Sequence, residues 1–153
     1  MQNRRWFVAD CLEIGTGMEF ALRPVMIKLR TGRQRHILVV DDETMVRRSL
    51  QIMLQGDGYA VQDAKSGAEA LALYEPDKFD MVFIDYLMPG MKGDELAAAI
   101  KERSPKQPVV MITAFPERFQ PSDRPPGGVD SFICKPFGLD HLREALARHT
   151  PAG

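Results

Sequence analysis

Met81-Val82-Phe83-Ile84-Asp85-Tyr86-Leu87-Met88-Pro89-Gly90-Met91-Lys92-Gly93 is the stretch that decides the fold. Four consecutive apolar residues with no polar alternation read as a strand buried on both faces, the pattern of a parallel sheet. The run ends in a carboxylate, and the proline and glycines after it force a turn. Asp85 therefore sits at the carboxyl tip of a strand, the edge where open α/β sheets bind ligands. Outward from it, Ile37-Leu38-Val39-Val40 ends in Asp41-Asp42, Val109-Val110-Met111-Ile112 ends in Thr113, and Ser131-Phe132-Ile133-Cys134 ends in Lys135. Carboxylates, a hydroxyl and an ammonium thus occupy the ends of four strand-like runs.

Between these runs the apolar period changes to that of helices. Val46, Leu50, Met53 and Leu54 recur at helical spacing until Gly56 and Gly58, and Tyr59-Ala60-Val61 then reads as a further strand. Ser66 with Glu69 three residues later is a capping box opening a helix that Pro76 ends. A third helix is expected over Gly93–Glu102 with Leu96 and Ile100 inward, and a last one from Leu139 to His149 with Leu142, Ala145 and Leu146 on one face. Alternating strands and helices predict an α/β fold with a doubly wound five-stranded parallel sheet. The segment from Thr113 to Ser131 departs from this alternation. It holds Pro116, Pro121, Pro125, Pro126, Gly127 and Gly128, and a helix-interior proline costs about 3 kcal/mol, so a degenerate fourth helix is expected there.

A chain of 153 residues with 44% hydrophobic content supports one domain with a real core. Residues 1–35 carry 7 Lys/Arg against 3 Asp/Glu, while the remainder carries 13 against 18, so a cationic arm precedes a mildly acidic body. Three segments are expected: an arm over 1–35, disordered or loosely docked, a domain over 36–149 and a tail over 150–153. The acidic body argues against nucleic-acid binding through it. Cys11 and Cys134 lack the close spacing of a disulfide framework or zinc site, which favours a reducing cytoplasm. No apolar run is long enough for a membrane span, and the N-terminus lacks the continuous apolar core of a secretory signal. His141 and His149 show no metal-ligand spacing and are expected at helix surfaces or ends.

Taken singly, each tip residue has an ordinary explanation: Asp41 or Asp42 as a helix cap, Asp85 as a turn former, Thr113 as a strand residue and Lys135 as a solvated amine. Brought together at one sheet edge, they make a phosphoryl-transfer set. Three carboxylates suit Mg²⁺, a hard cation that takes oxygen ligands. An aspartate attacking a phosphoryl group meets like-charge repulsion, which a metal ion, an ammonium and a hydroxyl relieve at the phosphoryl oxygens. Asp85 is the expected nucleophile, Lys135 the ammonium and Thr113 the hydroxyl.

In this order the motifs resemble the receiver domain of bacterial two-component response regulators. The residues carrying the resemblance are Asp41-Asp42, then Asp85-Tyr86-Leu87-Met88-Pro89-Gly90-Met91-Lys92-Gly93, Thr113-Ala114 and Lys135-Pro136-Phe137, spanning about His36 to His149. The resemblance implies the flavodoxin-like receiver fold and phosphorylation of Asp85 by a sensor histidine kinase or phosphotransfer protein. It also implies Mg²⁺ bound by Asp42 and Asp85 directly, by Asp41 largely through water, and by the backbone carbonyl of Leu87. Thr113 and Phe132 would form the switch pair.

Leu87 and Phe115, two residues past Asp85 and Thr113, lie where family side chains control access of the hydrolytic water, so a long-lived phosphoryl group is expected. The expected protein is a stand-alone receiver, not an enzyme beyond its own phosphoryl transfer and dephosphorylation, signalling to a downstream protein target, with homodimerisation left open. No DNA-binding module is expected after the last helix. A phosphate shuttle or sink is the related alternative. An aspartyl-phosphate hydrolase of the haloacid dehalogenase type is disfavoured, because its Asp-x-Asp motif after the first strand is not matched by Asp41-Asp42-Glu43.

Overall fold

The computed structural model describes residues 33–115 and 126–149. Calls on the structure of the arm over 1–32, on 116–125 and on the tail over 150–153 lie outside the described residues. Five strands, β1 (His36–Val40), β2 (Ala60–Ala64), β3 (Met81–Asp85), β4 (Val109–Thr113) and β5 (Ser131–Cys134), form one parallel sheet in the order β2-β1-β3-β4-β5. Among the described residues four α-helices accompany them: α1 (Thr44–Gly56), α2 (Gly67–Leu73), α3 (Gly93–Arg103) and α4 (Leu139–His149).

The apolar runs sort themselves by parity. Side chains alternate across a strand, and Leu38, Val40, Val82, Ile84, Val109 and Met111 meet Ala70 of α2 and Leu96, Ala97 and Ile100 of α3 on one face. The intervening Ile37, Val39, Met81, Phe83, Val110, Ile112 and Ile133 meet Leu50 and Leu54 of α1 and Leu142, Ala145 and Leu146 of α4 on the other. Both faces of β1, β3 and β4 are consequently buried, which is why these strands read as unbroken apolar runs.

Two local expectations need correction. β2 runs from Ala60 to Ala64 rather than over Tyr59–Val61. It is an edge strand, so Gln62 and Asp63 are accommodated in its second half without breaking a doubly buried pattern. At α2, Ser66 Oγ accepts from the Glu69 N–H at 3.2 Å as expected, but Glu69 returns its bond to the N–H of Lys65 at 2.9 Å instead of to that of Ser66. The backbone is extended at Ser66, and the neighbouring donor is the one within reach.

Pro126–Gly128, the described end of the proline-rich segment, is a 3₁₀ turn seated on α3. Gly127 has φ +67°, and a Cβ there would overlap the Asp94 carbonyl oxygen, so only glycine fits. Val129 then enters the core, and Asp130 Oδ2 accepts from the N–H of Val109 at 2.7 Å and from Lys101 Nζ at 2.8 Å. This lock joins the start of β5 to β4 and α3.

The loop after Asp85 closes on itself at a second glycine. Gly93 donates its N–H to the Tyr86 carbonyl at 2.9 Å, and a Cβ on it would stand 2.5 Å from the Asp85 carbonyl oxygen. Gly93→Ala is therefore expected to destabilise the domain by about 1–3 kcal/mol through forced displacement of the β3 tip. Gly56→Ala, where the added Cβ meets nothing within 4 Å, should instead stabilise it by about 0.5–1 kcal/mol through helix propensity. Urea denaturation of the two variants beside the parent checks the opposite signs.

Candidate functional site

The order β2-β1-β3-β4-β5 places the reversal of strand order between the parallel neighbours β1 and β3, and the crevice at the carboxyl ends of those strands is where such sheets bind ligands. Asp41 follows β1 and Asp85 ends β3. Both continue the odd-numbered parity of the face covered by α1 and α4, as does Lys135 after β5. The three side chains thus converge on the same side of the sheet edge. Lys135 Nζ lies 2.9 Å from Asp85 Oδ1 and 3.4 Å from Asp41 Oδ2.

Asp41 is buried and engaged on every side. Its N–H donates to the Ala64 carbonyl at 3.2 Å, and its Oδ1 accepts from the N–H of Glu43 at 2.8 Å. Asp42 is exposed. Asp41, Asp42 and Asp85 each offer an oxygen, and these oxygens lie within 4.8 Å of one another.

That donor set fits Mg²⁺. The ion takes hard oxygen ligands at about 2.0–2.1 Å, so two oxygens sharing it stand no more than about 4.2 Å apart, and a contraction of a few tenths of an ångström closes the set. The residues that could hold the ion are Asp41, Asp42 and Asp85, with the backbone carbonyl of Leu87, two residues past Asp85, nearby in sequence.

Burial at the sheet edge shifts the protonation of Asp85, Asp41 and Lys135. Burial pushes the Asp85 carboxyl up to about 6; the hydrogen bond from Lys135 draws it back, while the charges of Asp41 and Asp42 add to the rise. Burial likewise raises Asp41, against the opposing pull of the Glu43 N–H and of Lys135. For Lys135, burial alone acts to lower the ammonium's pKa, but its contacts with Asp85 and Asp41 outweigh burial and raise it.

Thr113 and Phe132 belong to the opposite parity. Thr113 is buried at the tip of β4, and its Oγ1 accepts from the N–H of Phe115 at 3.0 Å. Phe132, paired in register with Met111, packs against the core layer under α2 and α3. Leu87 and Phe115 are exposed at 43% and 36%, flanking the strand tips. His141 is exposed and its Nδ1 accepts from the Gly138 N–H at 3.1 Å at the start of α4, while His149 Nε2 lies 2.9 Å from Ser131 Oγ at the other end.

Sequence reasoning missed Arg47 in α1, whose guanidinium contacts the backbone of both Asp41 and Asp42. A cation in the first turn opposes the helix dipole, but the acidic run Asp41-Asp42-Glu43 just before it supplies an ordinary compensation, so the sequence carries no distinct signal.

The chain resembles proteins of known structure along the whole described sheet. The chemotaxis protein CheY4 of Vibrio cholerae superposes with a TM-score of 0.68 at 30% identity, covering 76% of this chain and 98% of that one. The response regulator TrrA of Thermotoga maritima, solved in complex with Mg²⁺-BeF, gives a TM-score of 0.68 at 33% identity over 75% and 98% of the two chains. In sequence, the transcriptional regulatory protein ResD of Bacillus subtilis is 38% identical over 101 residues, 66% of this chain and 42% of ResD. The response regulator MprA of Mycolicibacterium vanbaalenii is 38% identical over 122 residues, 75% and 52% of the respective chains. The chain spans about half the length of the curated relatives it matches. Among the described residues no helix is long and apolar enough to cross a membrane. With the acidic pair, the β3 aspartate and the β5 lysine gathered at one sheet edge, and with residues 37–147 matching the family model, the chain belongs to the response regulator receiver domain family.

Proposed function

We propose that this chain receives a phosphoryl group on Asp85 from a phosphohistidine of a sensor histidine kinase or phosphotransfer protein, in the cytoplasm, and passes the signal on by binding another protein. The observation that carries this reading is the convergence of Asp41, Asp42, Asp85 and Lys135, with Lys135 Nζ 2.9 Å from Asp85 Oδ1. A kinase partner is consistent with the likeness to TrrA in its complex with the histidine kinase ThkA, at a TM-score of 0.66 and 33% identity.

In this mechanism an Asp85 carboxylate oxygen attacks phosphorus, the phosphorus–nitrogen bond breaks, and the imidazole leaves with its electron pair. Asp41, Asp42, Asp85 and the Leu87 carbonyl would hold Mg²⁺, which when bound supplies positive charge to the phosphoryl oxygens. Lys135 supplies a second positive charge from the β5 side. Thr113 Oγ1 accepts from Phe115 in this state, and its own proton remains available for donation to a phosphoryl oxygen. Movement of Thr113 toward that oxygen vacates space on the face it shares with Phe132, which links the event at the sheet edge to the core under α2 and α3. The chain catalyses its own transfer and dephosphorylation and turns over no separate substrate.

Incubation with Mg²⁺ and a small phosphodonor should add one phosphoryl group by intact mass, and Asp85→Asn or a chelator should abolish it. An unlabelled parent, or equal labelling of Asp85→Asn, refutes Asp85 as acceptor. Exposed apolar Leu87 and bulky Phe115 would screen the attacking water, so the group should persist for minutes or longer in buffer with Mg²⁺. Loss within seconds contradicts that expectation.

The raised Asp85 pKa has a measurable consequence for the metal-free protein. Its carboxyl titrates near 3.8 when unfolded and at about 6 when folded, so folding takes up protons between those values and stability falls as pH rises through that window. About two pKa units correspond to about 2–3 kcal/mol of destabilisation above pH 6. In a chelator at pH 7.5, Asp85→Asn should be more stable than the parent by up to that amount, and the advantage should shrink toward pH 4. Urea denaturation at both pH values measures it.

A further inference from the structure

We infer that Arg47 is a positioning residue for the paired aspartates, a clamp that fixes the β1–α1 loop in the orientation that binds Mg²⁺; the inference rests on the reading of the acidic set as a Mg²⁺ site. Arg47 Nη1 donates to the carbonyl of Asp41 at 2.8 Å and to that of Asp42 at 3.1 Å. Its Nε donates to Asp63 Oδ2 on β2 at 2.9 Å, and Nη2 reaches Thr44 Oγ1 at 3.4 Å. The other oxygen of Asp63 accepts from Gln51 Nε2, one turn further along α1, at 2.9 Å. A planar fork of five donors is thus held from behind by a carboxylate that is itself held, and it faces two consecutive peptide carbonyls.

A bland account makes Arg47–Asp63 a helix-to-strand ion pair, which contributes little if exposed. Two features set the arrangement apart from that. The Arg47 side chain is only 12% exposed, so its ordering and desolvation demand return. Its two contacts beyond Asp63 and Thr44 go to the main chain of the two residues that carry carboxylates, and not to the element opposite. Fixing both carbonyls fixes the peptide planes on either side of the Asp42 Cα, and therefore the direction of its side chain. Asp42 otherwise has an exposed carboxylate on a loop, whereas Asp41 is held independently by Glu43 and Ala64. Without the clamp, the ordering of Asp42 falls to the binding event. Outer groups that orient metal ligands typically change affinity by about 10–100-fold when removed.

The test is isothermal titration of the full chain with MgCl₂, with thermal unfolding in chelator and amide exchange at residues 41–44 recorded alongside. Arg47→Met should weaken Mg²⁺ binding by about 10–100-fold and speed exchange at 41–44. Asp63→Asn and Gln51→Leu, which loosen the guanidinium from behind, should weaken it less. Arg47→Met combined with Asp63→Asn should be little worse than Arg47→Met alone, because Asp63 acts through Arg47. Arg47→Lys should recover only part of the affinity, since a single ammonium cannot face both carbonyls and Asp63 together. Unchanged Mg²⁺ affinity in folded Arg47→Met overturns the inference; if that variant fails to fold, unchanged affinity in both Asp63→Asn and Gln51→Leu does so. Asp42→Asn separates the layers: if it binds Mg²⁺ as the parent does, the metal reading itself fails and the clamp falls with it.

Discussion

The Lys135 ammonium, placed between Asp85 and Asp41, is the interaction on which the sheet edge depends. Three carboxylates cannot be gathered within 4.8 Å without strong mutual repulsion. Two unit charges about 4 Å apart repel by about 4 kcal/mol at the effective dielectric of a protein surface, a large fraction of a small domain's net stability. Lys135 offsets that at short range, yet it is rooted on β5, two strands away from Asp85. Everything that holds β5 in register with β4 therefore also holds the charge balance of the site. The buried Val129, the Asp130 lock on Val109 and Lys101, and the main-chain bond from Lys135 to the Thr113 carbonyl are parts of the same device.

Strand parity divides the molecule's labour. Asp41, Asp85 and Lys135 share the face covered by α1 and α4, whereas Thr113 and Phe132 share the face covered by α2 and α3. Charge is collected on one side of the sheet, and the hydroxyl and aromatic that would respond to it stand on the other. The carboxyl edge is the place where the two sides meet. Under the proposed function, a change in charge there would reach the packing beneath α2 and α3 through Thr113 and Phe132, because a close-packed interior does not deform continuously.

Much of this was legible in the amino-acid sequence, for identifiable reasons. Buried parallel strands leave unbroken apolar runs, so β1, β3 and β4 and the residues at their tips stood out, and the helical period placed α3 and α4 within a residue. What escaped notice lacked an apolar signature. β2 is an edge strand whose Gln62 and Asp63 interrupt its run, and its extent emerged only from pairing with β1. Arg47 reads in isolation as one more surface cation, since its meaning lies in acceptors contributed by the backbone, which sequence patterns do not display. The helix expected to degenerate between Thr113 and Ser131 is represented among the described residues by one 3₁₀ turn, Pro126–Gly128.

That turn has a consequence for how the fold tolerates change. Because Gly127 nests on the Asp94 carbonyl and Val129 enters the core immediately afterwards, the chain is re-indexed before β5 begins. From Gly127 onward the path to Lys135 is set by contacts with α3 and β4, so a one-residue insertion between Gly127 and Ser131 would draw the ammonium out of reach of the carboxylates. The reactive edge thus takes its address from a glycine rather than from the strand that carries the lysine.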